Sequence, residues 1–241
     1  MTDLVRYSFA DGVAVIQLDD GKRNAMSPDM LRQINEAFDR AEADRAIVIL
    51  TGREQVFSAG FDLKVMKSAP KDALRMLYAG YSLTARVMAY PYPVIAACNG
   101  HALAMGVFLM LSTDYVIGAR GEFRISANEV AIGLTMPRVA AAVLRNRLTP
   151  ADFQAAVTLA KDFPVEDALR AGFFNELAET ASLMPRANEL AAQLAELDMP
   201  AHTASKRRIR RSLNRYIRYS ASPDLFDALL VGARTALRGN R

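Results

Sequence analysis

Residues 93–119 read PVIAACNGHALAMGVFLMLSTDYVIGA. A first apolar segment ends at a tight turn, and a second apolar segment, which is too long for a strand, follows it. Val94–Cys98 is short, rich in β-branched and small residues, and closed by Asn99-Gly100, a dipeptide that tolerates positive φ. The run that follows predicts a buried helix, and residues 114–119 predict another short strand. The stretch therefore predicts strand, turn, buried helix and strand in that order.

The start of the predicted helix is made of small residues. Residues 102–106 read ALAMG, and most of them are too small to shield the free N–H groups of the first helical turn. Those groups carry partial positive charge and suit a developing negative oxygen. A similar construction lies upstream, where residues 46–50 run into Thr51-Gly52 and then FSAGFDL at residues 57–63. Either unit alone indicates little, because such turns also serve packing, but together they could aim two N–H groups at one point.

Composition predicts one sizeable core. The chain has 241 residues, of which 51% are hydrophobic, so length favours one domain or one domain with an appendage. The single cysteine, Cys98, lies in an apolar run and is expected to be a buried hydrophobe, which indicates a reducing compartment without disulfides. The first residues lack an apolar leader, and no run of about 18 apolar residues occurs. We therefore expect a soluble, cytoplasmic protein with no membrane partner.

Residue types also limit the chemistry. The only histidines are His101 and His202, so a His-based triad or a His/Cys metal cluster has almost nothing to draw on, and no metal site is expected. The nucleophile elbow, the P-loop and the dinucleotide-binding fingerprint are absent from the sequence. Carboxylates and backbone groups therefore remain as the candidates for catalytic groups.

Patterning along the rest of the chain predicts an α/β core with a helical C-terminal appendage. Alternation around Asp11-Gly12 predicts a hairpin, and helical spacing predicts a helix from Ser27-Pro28 to about Asp44. Sheet-forming segments occupy the first three quarters of the chain, and helices occupy the last quarter. Three C-terminal helices are predicted, with a break at residues 220–223 before the third: 184–199, 203–219 and 224–238.

Several motifs together make the chain resemble the crotonase family, the enoyl-CoA hydratase/isomerase superfamily. Residues 22–26, KRNAM, are similar to the family's early N-A-L loop, and residues 57–64, FSAGFDLK, to its A-G-x-D-L segment. Residues 99–106, NGHALAMG, are similar to its N-G-x-A-x-G-G-G turn. Later segments match in order as well: ANEVAIGLTMP at residues 127–137, and residues 168–177.

The resemblance implies an α/β fold, a crotonase-like spiral of ββα units with a helical C-terminal region. We expect a crotonase core over residues 1–180 and a helical trimerisation or lid region over residues 181–241. The family binds acyl-CoA thioesters and packs as trimers or dimers of trimers, so a homotrimer or hexamer is expected. Coenzyme A would be part of the substrate, and no separate cofactor is expected.

The resemblance also assigns roles to residues. The family's two oxyanion-hole donors fall on the backbone N–H groups of Phe61 and Met105, although Ala104-Met105 departs from the family's paired glycines. The second of two family glutamates matches Glu129, whereas the first falls on Phe108, which cannot transfer a proton. The positions implied to bind acyl-CoA are Lys22, Arg23, Ala25, Ala59, Gly60, Asp62, Leu63, Gly106 and Phe108.

A single surviving carboxylate favours an enoyl-CoA isomerase, with Glu129 as the only acid and base. An enoyl-CoA hydratase, an acyl-CoA hydrolase and a non-catalytic acyl-CoA or RNA-binding homologue remain alternatives. Glu129 could instead cap the segment after Asn128 or pair with an arginine. Asp62 is expected to cap the helix that follows it, His101 to stabilise its own turn, and Phe108 to lie in the core or the pocket wall.

The C-terminal charge is concentrated in one segment. Residues 206–241 hold ten Lys or Arg against two Asp, and the run over residues 206–218 places its apolar residues on one helical stripe. The segment fits a solvated amphipathic helix or a helix that attracts the phosphates of coenzyme A, and we predict that it contributes to coenzyme A affinity through those phosphates. Nucleic-acid binding is not favoured, because no aromatic stacking platform accompanies the charge.

Overall fold

The computed structural model describes residues 3–68 and 70–239. The strands form a six-stranded sheet and a three-stranded sheet, with helices packed around both. The strands are β1 (Val5–Ala10), β2 (Val13–Leu18), β3 (Ile47–Thr51), β4 (Gln55–Ser58), β5 (Val94–Cys98), β6 (Gly100–Leu103), β7 (Tyr115–Ala119), β8 (Ile125–Ser126) and β9 (Glu176–Ala178). The helices are α1 (Pro28–Ala43), α2 (Leu63–Ser68), α3 (Pro70–Ala89), α4 (Met105–Leu111), α5 (Arg138–Arg145), α6 (Pro150–Leu159), α7 (Val165–Ala171), α8 (Leu183–Ala195) and α9 (Met199–Gly239).

One structural unit repeats along the chain. Strands β3, β5 and β7 lie in the large sheet, whose order is β1-β2-β3-β5-β7-β9, and each is followed by a strand of the small sheet, whose order is β4-β6-β8. Every pairing within the small sheet is parallel, as are the pairings from β2 through β9 in the large one. This arrangement confirms the predicted α/β spiral of ββα units with a helical C-terminal region.

The large sheet is covered on both faces, which is why its central strands are apolar throughout. All residues of β3 and β5 are buried. Ile47, Ile49 and Ile95 point to α8, while Val48 and Leu50 point into the main core. Alternate residues of one strand thus fill two different hydrophobic layers, as parallel strands covered by helices require.

The structure corrects one prediction for residues 99–106. Asn99-Gly100 was expected to turn directly into a helix, but Gly100 begins strand β6, and α4 starts only at Met105. A Cβ at Gly100 would lie 1.9 Å from the backbone carbon of Gln55 and 2.3 Å from the nitrogen of Val56. The glycine is therefore needed for the close approach of β6 and β4, and it does not mark a turn into a helix.

The predicted helix break at residues 220–223 is also wrong, because α9 runs unbroken from Met199 to Gly239 with Pro223 inside it. Ile217 and Ala221 lie in the main core just before the proline, and Asp224 is buried just after it. Packing on both sides thus holds the helix through a residue that cannot donate a backbone hydrogen bond. Residues 240 and 241 of the predicted C-terminal region lie outside the described residues, and no helix among the described ones is long and apolar enough to cross a membrane.

Part of the basic run on α9 is structural. The Lys206 ammonium is buried and contacts the Asp114 carboxylate at 2.5 Å, and the Arg210 guanidinium contacts the same carboxylate at 3.1 Å. Burial lowers the pKa of Lys206 to about 8, although Asp114 opposes that shift. The two cations anchor α9 to the segment that precedes β7, whereas Arg207 and Arg208 are exposed.

Candidate active site

Three turns of interest leave the small sheet at one edge. Parallel strands β4, β6 and β8 end at Ser58, Leu103 and Ser126 respectively, and the carboxyl ends of neighbouring parallel strands meet at the same edge. The chain then continues to Phe61 after the first strand, Met105 after the second and Glu129 after the third. The topology thereby brings together residues that are up to 68 positions apart.

Asn24 holds the first of these turns in place. Its side chain is fully buried, and its amide nitrogen donates to the carbonyl oxygens of Leu18 at 2.9 Å and of Val56 and Phe57 at 3.2 Å. The Ser58 hydroxyl in turn donates to the Asn24 carbonyl at 2.7 Å. In the sequence, Asn24 stands out only as part of the motif at residues 22–26. Its signal was an asparagine in a Gly-containing polar loop, where such residues adopt positive φ, and φ is 50° here.

The first two turns lie against each other. Gly60 has a φ of +87°, and a Cβ built there would lie 2.8 Å from the Ala104 Cβ and 3.3 Å from the Met105 nitrogen. Only a residue without a side chain allows this approach at that backbone conformation. The Gly60 α-carbon therefore packs against the start of α4, where the Met105 N–H lies.

Ala104 takes up a conformation that suits glycine better. Its φ of 47° and ψ of −123° place a residue with a side chain in a sparsely populated region, at a cost of roughly 1–3 kcal/mol. Met105 follows as the first residue of α4, so its N–H has no partner within the helix. Within residues 3–68 and 70–239, no hydrogen bond uses the N–H of Phe61 or of Met105. Both N–H groups are therefore free to donate to a bound group.

Glu129 is a buried carboxylate with little hydrogen-bond support. The residue is 6% exposed, and its Oε2 atom has no hydrogen-bond partner among the described residues. Burial raises the pKa of Glu129 to about 7, against a lowering effect of its own backbone N–H. A carboxyl group with this pKa can both accept and return a proton near neutral pH. Glu129 neither caps its own segment through its side chain nor pairs with an arginine in the described structure.

Helix α3 forms a wall beside the first two turns. A Cβ at Gly80 would lie 2.5 Å from the Phe61 ring and 3.4 Å from the Met105 sulfur, so both side chains rest against the helix at this point. Tyr81, the next residue, is 3% exposed and meets the Phe61 ring edge to face at 6.1 Å. Tyr81 recurs with Leu74, Leu77 and Tyr78 at helical spacing in the sequence, a pattern that predicts only an apolar face. Helical spacing can place a residue on a buried face, but it cannot show which turn that face meets.

The loop residues predicted to bind acyl-CoA surround the first turn. Lys22 and Arg23 are exposed, and the Arg23 carbonyl accepts a hydrogen bond from the Ala59 N–H at 3.0 Å. Ala25 lies beside Met26, whose N–H donates to the Gly60 carbonyl at 2.8 Å. The loop that carries these two exposed cations is thus hydrogen-bonded to the turn that precedes Phe61.

The remaining predicted positions differ in burial. The Asp62 carboxylate accepts from the Lys64 N–H at 2.8 Å, which confirms the expected cap of α2, and Leu63 is 53% exposed. A Cβ at Gly106 would lie 2.7 Å from the Ser58 carbonyl oxygen, so this glycine keeps α4 close to β4. Phe108 is 1% exposed and belongs to the main core, in agreement with the prediction of core or pocket wall.

His101 does not support its own turn as predicted. Its Nδ1 atom accepts from the Arg124 backbone N–H at 2.9 Å, and its ring meets Phe123 edge to face at 5.6 Å. Because His101 belongs to β6 and these partners precede β8, the ring helps to hold adjacent strands of the small sheet. The cause is the strand at residues 100–103, which replaced the expected turn.

A family model described as enoyl-CoA hydratase/isomerase matches residues 8–223. An enoyl-CoA hydratase structure from Mycobacterium ulcerans is 42% identical, covers 94% of this chain and 99% of that one, and superposes with a TM-score of 0.90. A Mycobacterium tuberculosis structure described as an enoyl-CoA isomerase is 43% identical, covers 92% of this chain and 97% of that one, and has a TM-score of 0.88. A second structure of that same protein, described as a probable enoyl-CoA hydratase, is 40% identical and has a TM-score of 0.89. A carnitinyl-CoA dehydratase from Salmonella paratyphi A is 31% identical over 182 residues, which are 74% of this chain and 69% of that protein.

Proposed function

The chain belongs to the enoyl-CoA hydratase/isomerase family, and we propose that within it the protein is an enoyl-CoA isomerase. The reaction is the shift of a double bond from the β,γ to the α,β position of an acyl-CoA thioester. One observation carries the proposal: Glu129, a buried carboxylate with an oxygen that is unpaired within the described structure, follows the same edge of the small sheet as two turns whose backbone N–H groups are free. The resemblance places Phe108 where hydratases of the family have their other glutamate.

The two N–H groups have a defined task in this mechanism. When Glu129 removes a proton from the carbon next to the thioester, negative charge develops on the carbonyl oxygen. The N–H groups of Phe61 and Met105 receive that charge, and each such donor is typically worth about 3 kcal/mol in the transition state. Both donors are parts of the backbone, so their positions depend on Gly60 and Ala104 and not on any side chain's rotamer.

Glu129 then completes the shift. A protonated Glu129 returns the same proton two carbons further along the acyl chain, which regenerates the carboxylate and leaves the conjugated thioester. A pKa of about 7 suits both steps, because neither protonation state is strongly disfavoured. Hydration makes a different demand, since water must be held and deprotonated while a proton is delivered to carbon. A single carboxylate serves that reaction poorly.

The exposed cations beside the first turn have a proposed role in binding. Lys22 and Arg23 flank the loop that borders Gly60, and both side chains are exposed. We assign them, with Ala25, Ala59, Asp62 and Leu63, to the contact with the coenzyme A moiety. Arg207, by contrast, borders a cavity of about 590 Å³ with Arg45 and Tyr92, at the amino ends of β3 and β5. This cavity lies where the chain enters two strands of the large sheet, whereas the turns follow strands of the small sheet, so the loop cations are the better candidates for phosphate contacts.

The proposed oligomer is a homotrimer or hexamer, in which part of α9 is covered. Four large side chains of this helix recur at helical spacing and remain more than two fifths exposed: Ile209, Tyr216, Tyr219 and Phe226. A row of exposed apolar groups on one helix is typical of a protein interface. Light scattering at micromolar concentration tests this proposal, and a monomer mass would contradict it.

The decisive experiment is a panel of acyl-CoA thioesters assayed for double-bond shift, hydration and hydrolysis. We expect turnover of β,γ-enoyl-CoA, and a loss of at least about 10²-fold in Glu129→Gln, the effect usual for a missing acid–base group. Glu122→Gln is the matched control, because Glu122 is an exposed glutamate in the preceding loop. Efficient hydration of a crotonyl-type thioester without any double-bond shift would overturn the assignment in favour of a hydratase, and Phe108→Glu should raise hydration if the assignment is right.

A further inference from the structure

Helix α5 follows the segment that begins at Glu129, and its first turn is capped from a distant part of the chain. The residue before the helix is Pro137, whose side chain cannot accept a hydrogen bond from the first helical N–H groups. Asp224 of α9 accepts them instead, its Oδ1 atom from the Arg138 N–H and its Oδ2 atom from the Val139 N–H, both at 2.9 Å. A carboxylate 86 positions further along the chain than Arg138 thus holds the start of α5.

The Asp224 carboxylate is buried, and its contacts make it a firm anchor. Its side chain is 3% exposed, and the Arg138 guanidinium contacts the Oδ1 atom at 3.1 Å. A buried charge requires such partners, and hydrogen bonds to a charged acceptor are the stronger kind. The Arg138 guanidinium also contacts Asp227 at 2.6 Å, but the Asp227 side chain is 47% exposed. Among the described residues, Asp224 is the one of these two carboxylates that accepts from the backbone of α5.

The segment between Glu129 and α5 has little packing of its own. Residues 130–133 are all exposed, although two of them, Val130 and Ile132, are large and apolar. The Leu134 N–H donates to the Glu129 carbonyl at 2.9 Å, so the chain just before α5 is tied directly to the peptide group of Glu129. The position of Glu129 therefore depends on β8 on one side and on the start of α5 on the other.

We propose that Asp224 is a positioning residue for Glu129: by holding the first N–H groups of α5, it keeps residues 129–137 in place and the Glu129 carboxylate buried. This inference rests on the proposed role of Glu129 as proton carrier. Burial is what raises the pKa of Glu129 to about 7. A segment released from Asp224 lets water reach the carboxylate, which lowers that pKa toward its ordinary value and leaves the base less well oriented.

The first test compares Asp224→Ala with Asp227→Asn in the pH dependence of kcat/KM for a β,γ-enoyl-CoA, at a temperature where both are folded. Asp227→Asn is the matched control, because it removes a carboxylate from the same guanidinium but leaves both bonds to the α5 backbone. Asp224→Ala should lower the plateau about tenfold and move the acid limb downward by about one pH unit. The control should match the parent. An unchanged plateau, or a lower plateau with an unshifted limb, overturns the proposal.

Asp224→Asn separates anchoring from charge. The amide oxygen can still accept one of the two backbone bonds, whereas the negative charge is gone. The acid limb should therefore move less in Asp224→Asn than in Asp224→Ala. Equal shifts in the two variants would assign the effect to the charge of Asp224 and overturn its positioning role.

A second test does not depend on turnover. The N–H groups of residues 132–134 donate to carbonyls of residues 128–130, so their hydrogen exchange reports on the closure of the segment. Exchange there should be about tenfold faster in Asp224→Ala, or to a smaller extent in Asp224→Asn if the alanine variant does not fold, with β3 and β5 unchanged. Unchanged exchange at residues 132–134, or an equal increase throughout the protein, overturns the proposal. If the parent shows no isomerase activity, the proposed function fails, and exchange still decides whether Asp224 holds the segment.

Discussion

The turn around Gly60 and the segment that ends at Glu129 leave the same edge of the small sheet, but they are built in opposite ways. At the turn, Met26 donates to the Gly60 carbonyl, and the Ser58 hydroxyl both donates to Asn24 and accepts from the Gly60 N–H. In the segment, three buried side-chain atoms have no partner within residues 3–68 and 70–239: Ser126 Oγ, Asn128 Oδ1 and Glu129 Oε2.

The difference indicates how each half of the site obtains its chemistry. The turns present backbone N–H groups, so close packing and hydrogen bonds must fix the main chain, and side-chain identity matters little. The Glu129 segment presents one side chain whose proton affinity depends on its surroundings, and leaving it buried and poorly paired keeps its pKa near neutrality. At Gly60, the contacts that stabilise the fold also serve the proposed function. At Glu129, the burial that serves the proposed function lowers the stability of the fold.

The largest effect is expected when the packed turn is broken. Gly60→Ala adds a Cβ 2.8 Å from the Ala104 Cβ at a φ of +87°. Overpacking and left-handed strain together should lower the free energy of unfolding by about 4 kcal/mol and abolish isomerisation. Urea unfolding and the enoyl-CoA assay measure the two losses.

Gly12→Ala is the control for Gly60→Ala. Its φ is +76°, but a Cβ there meets nothing within 4 Å, so only the backbone strain is added, about 1–2 kcal/mol. Equal losses in the two variants would show that contact with the second turn is unimportant. That result would remove the contrast between the packed turn and the Glu129 segment.

The second prediction concerns Glu129→Gln and stability. The folded pKa of about 7 lies above the ordinary value of 4.5, so the carboxyl group favours folding below pH 4.5 and loses that benefit as pH rises through 7. Glutamine has no charge to bury, so the variant should match the parent near pH 4.5 and exceed it by about 3 kcal/mol at pH 8. Unfolding across this range should show the difference growing with pH, and a constant difference would contradict the argument.

The third prediction is the pH dependence of activity. Glu129 must be ionised to remove a proton, so kcat/KM should reach a plateau above pH 7 and fall about tenfold per unit below it. At pH 6 the rate should be about one tenth of the plateau. An acid limb near pH 4.5 would mean that Glu129 is hydrated in solution and that the contrast between the two regions is overstated.

The smallest effect is expected at the strained residue of the second turn. Ala104→Gly should relieve the conformation at φ 47° and ψ −123° and raise the free energy of unfolding by about 1 kcal/mol, with activity unchanged. Ala160→Gly is a useful comparison, because Ala160 has a φ of 49° in the ordinary left-handed region at the end of α6. The gain at Ala104 should be the larger one, and a loss of stability there would show that the turn is not strained.

The sequence by itself determined the class of fold and the positions of the proposed donors. Apolar runs bounded by Gly-containing turns are local signals, and strands such as Val94–Cys98 are buried on both faces, so their apolar pattern cannot be mistaken for a surface. The motifs at residues 57–64 and 99–106 likewise depend on local backbone requirements, because glycine is demanded wherever main chains approach closely. Glu129 was identified through the resemblance of residues 127–137 to a later segment of the family.

Only the tertiary structure decided which distant groups meet at the site. Gly100 had the local signature of a turn, but contact with Gln55 and Val56 made it part of a strand, and packing carried α9 through Pro223. Tyr81 had the pattern of a core residue, and only the crossing of α3 over the two turns placed it beside Phe61. The physical reason is common to all of these: periodicity records which face of an element is buried, whereas the partner of that face depends on long-range contacts.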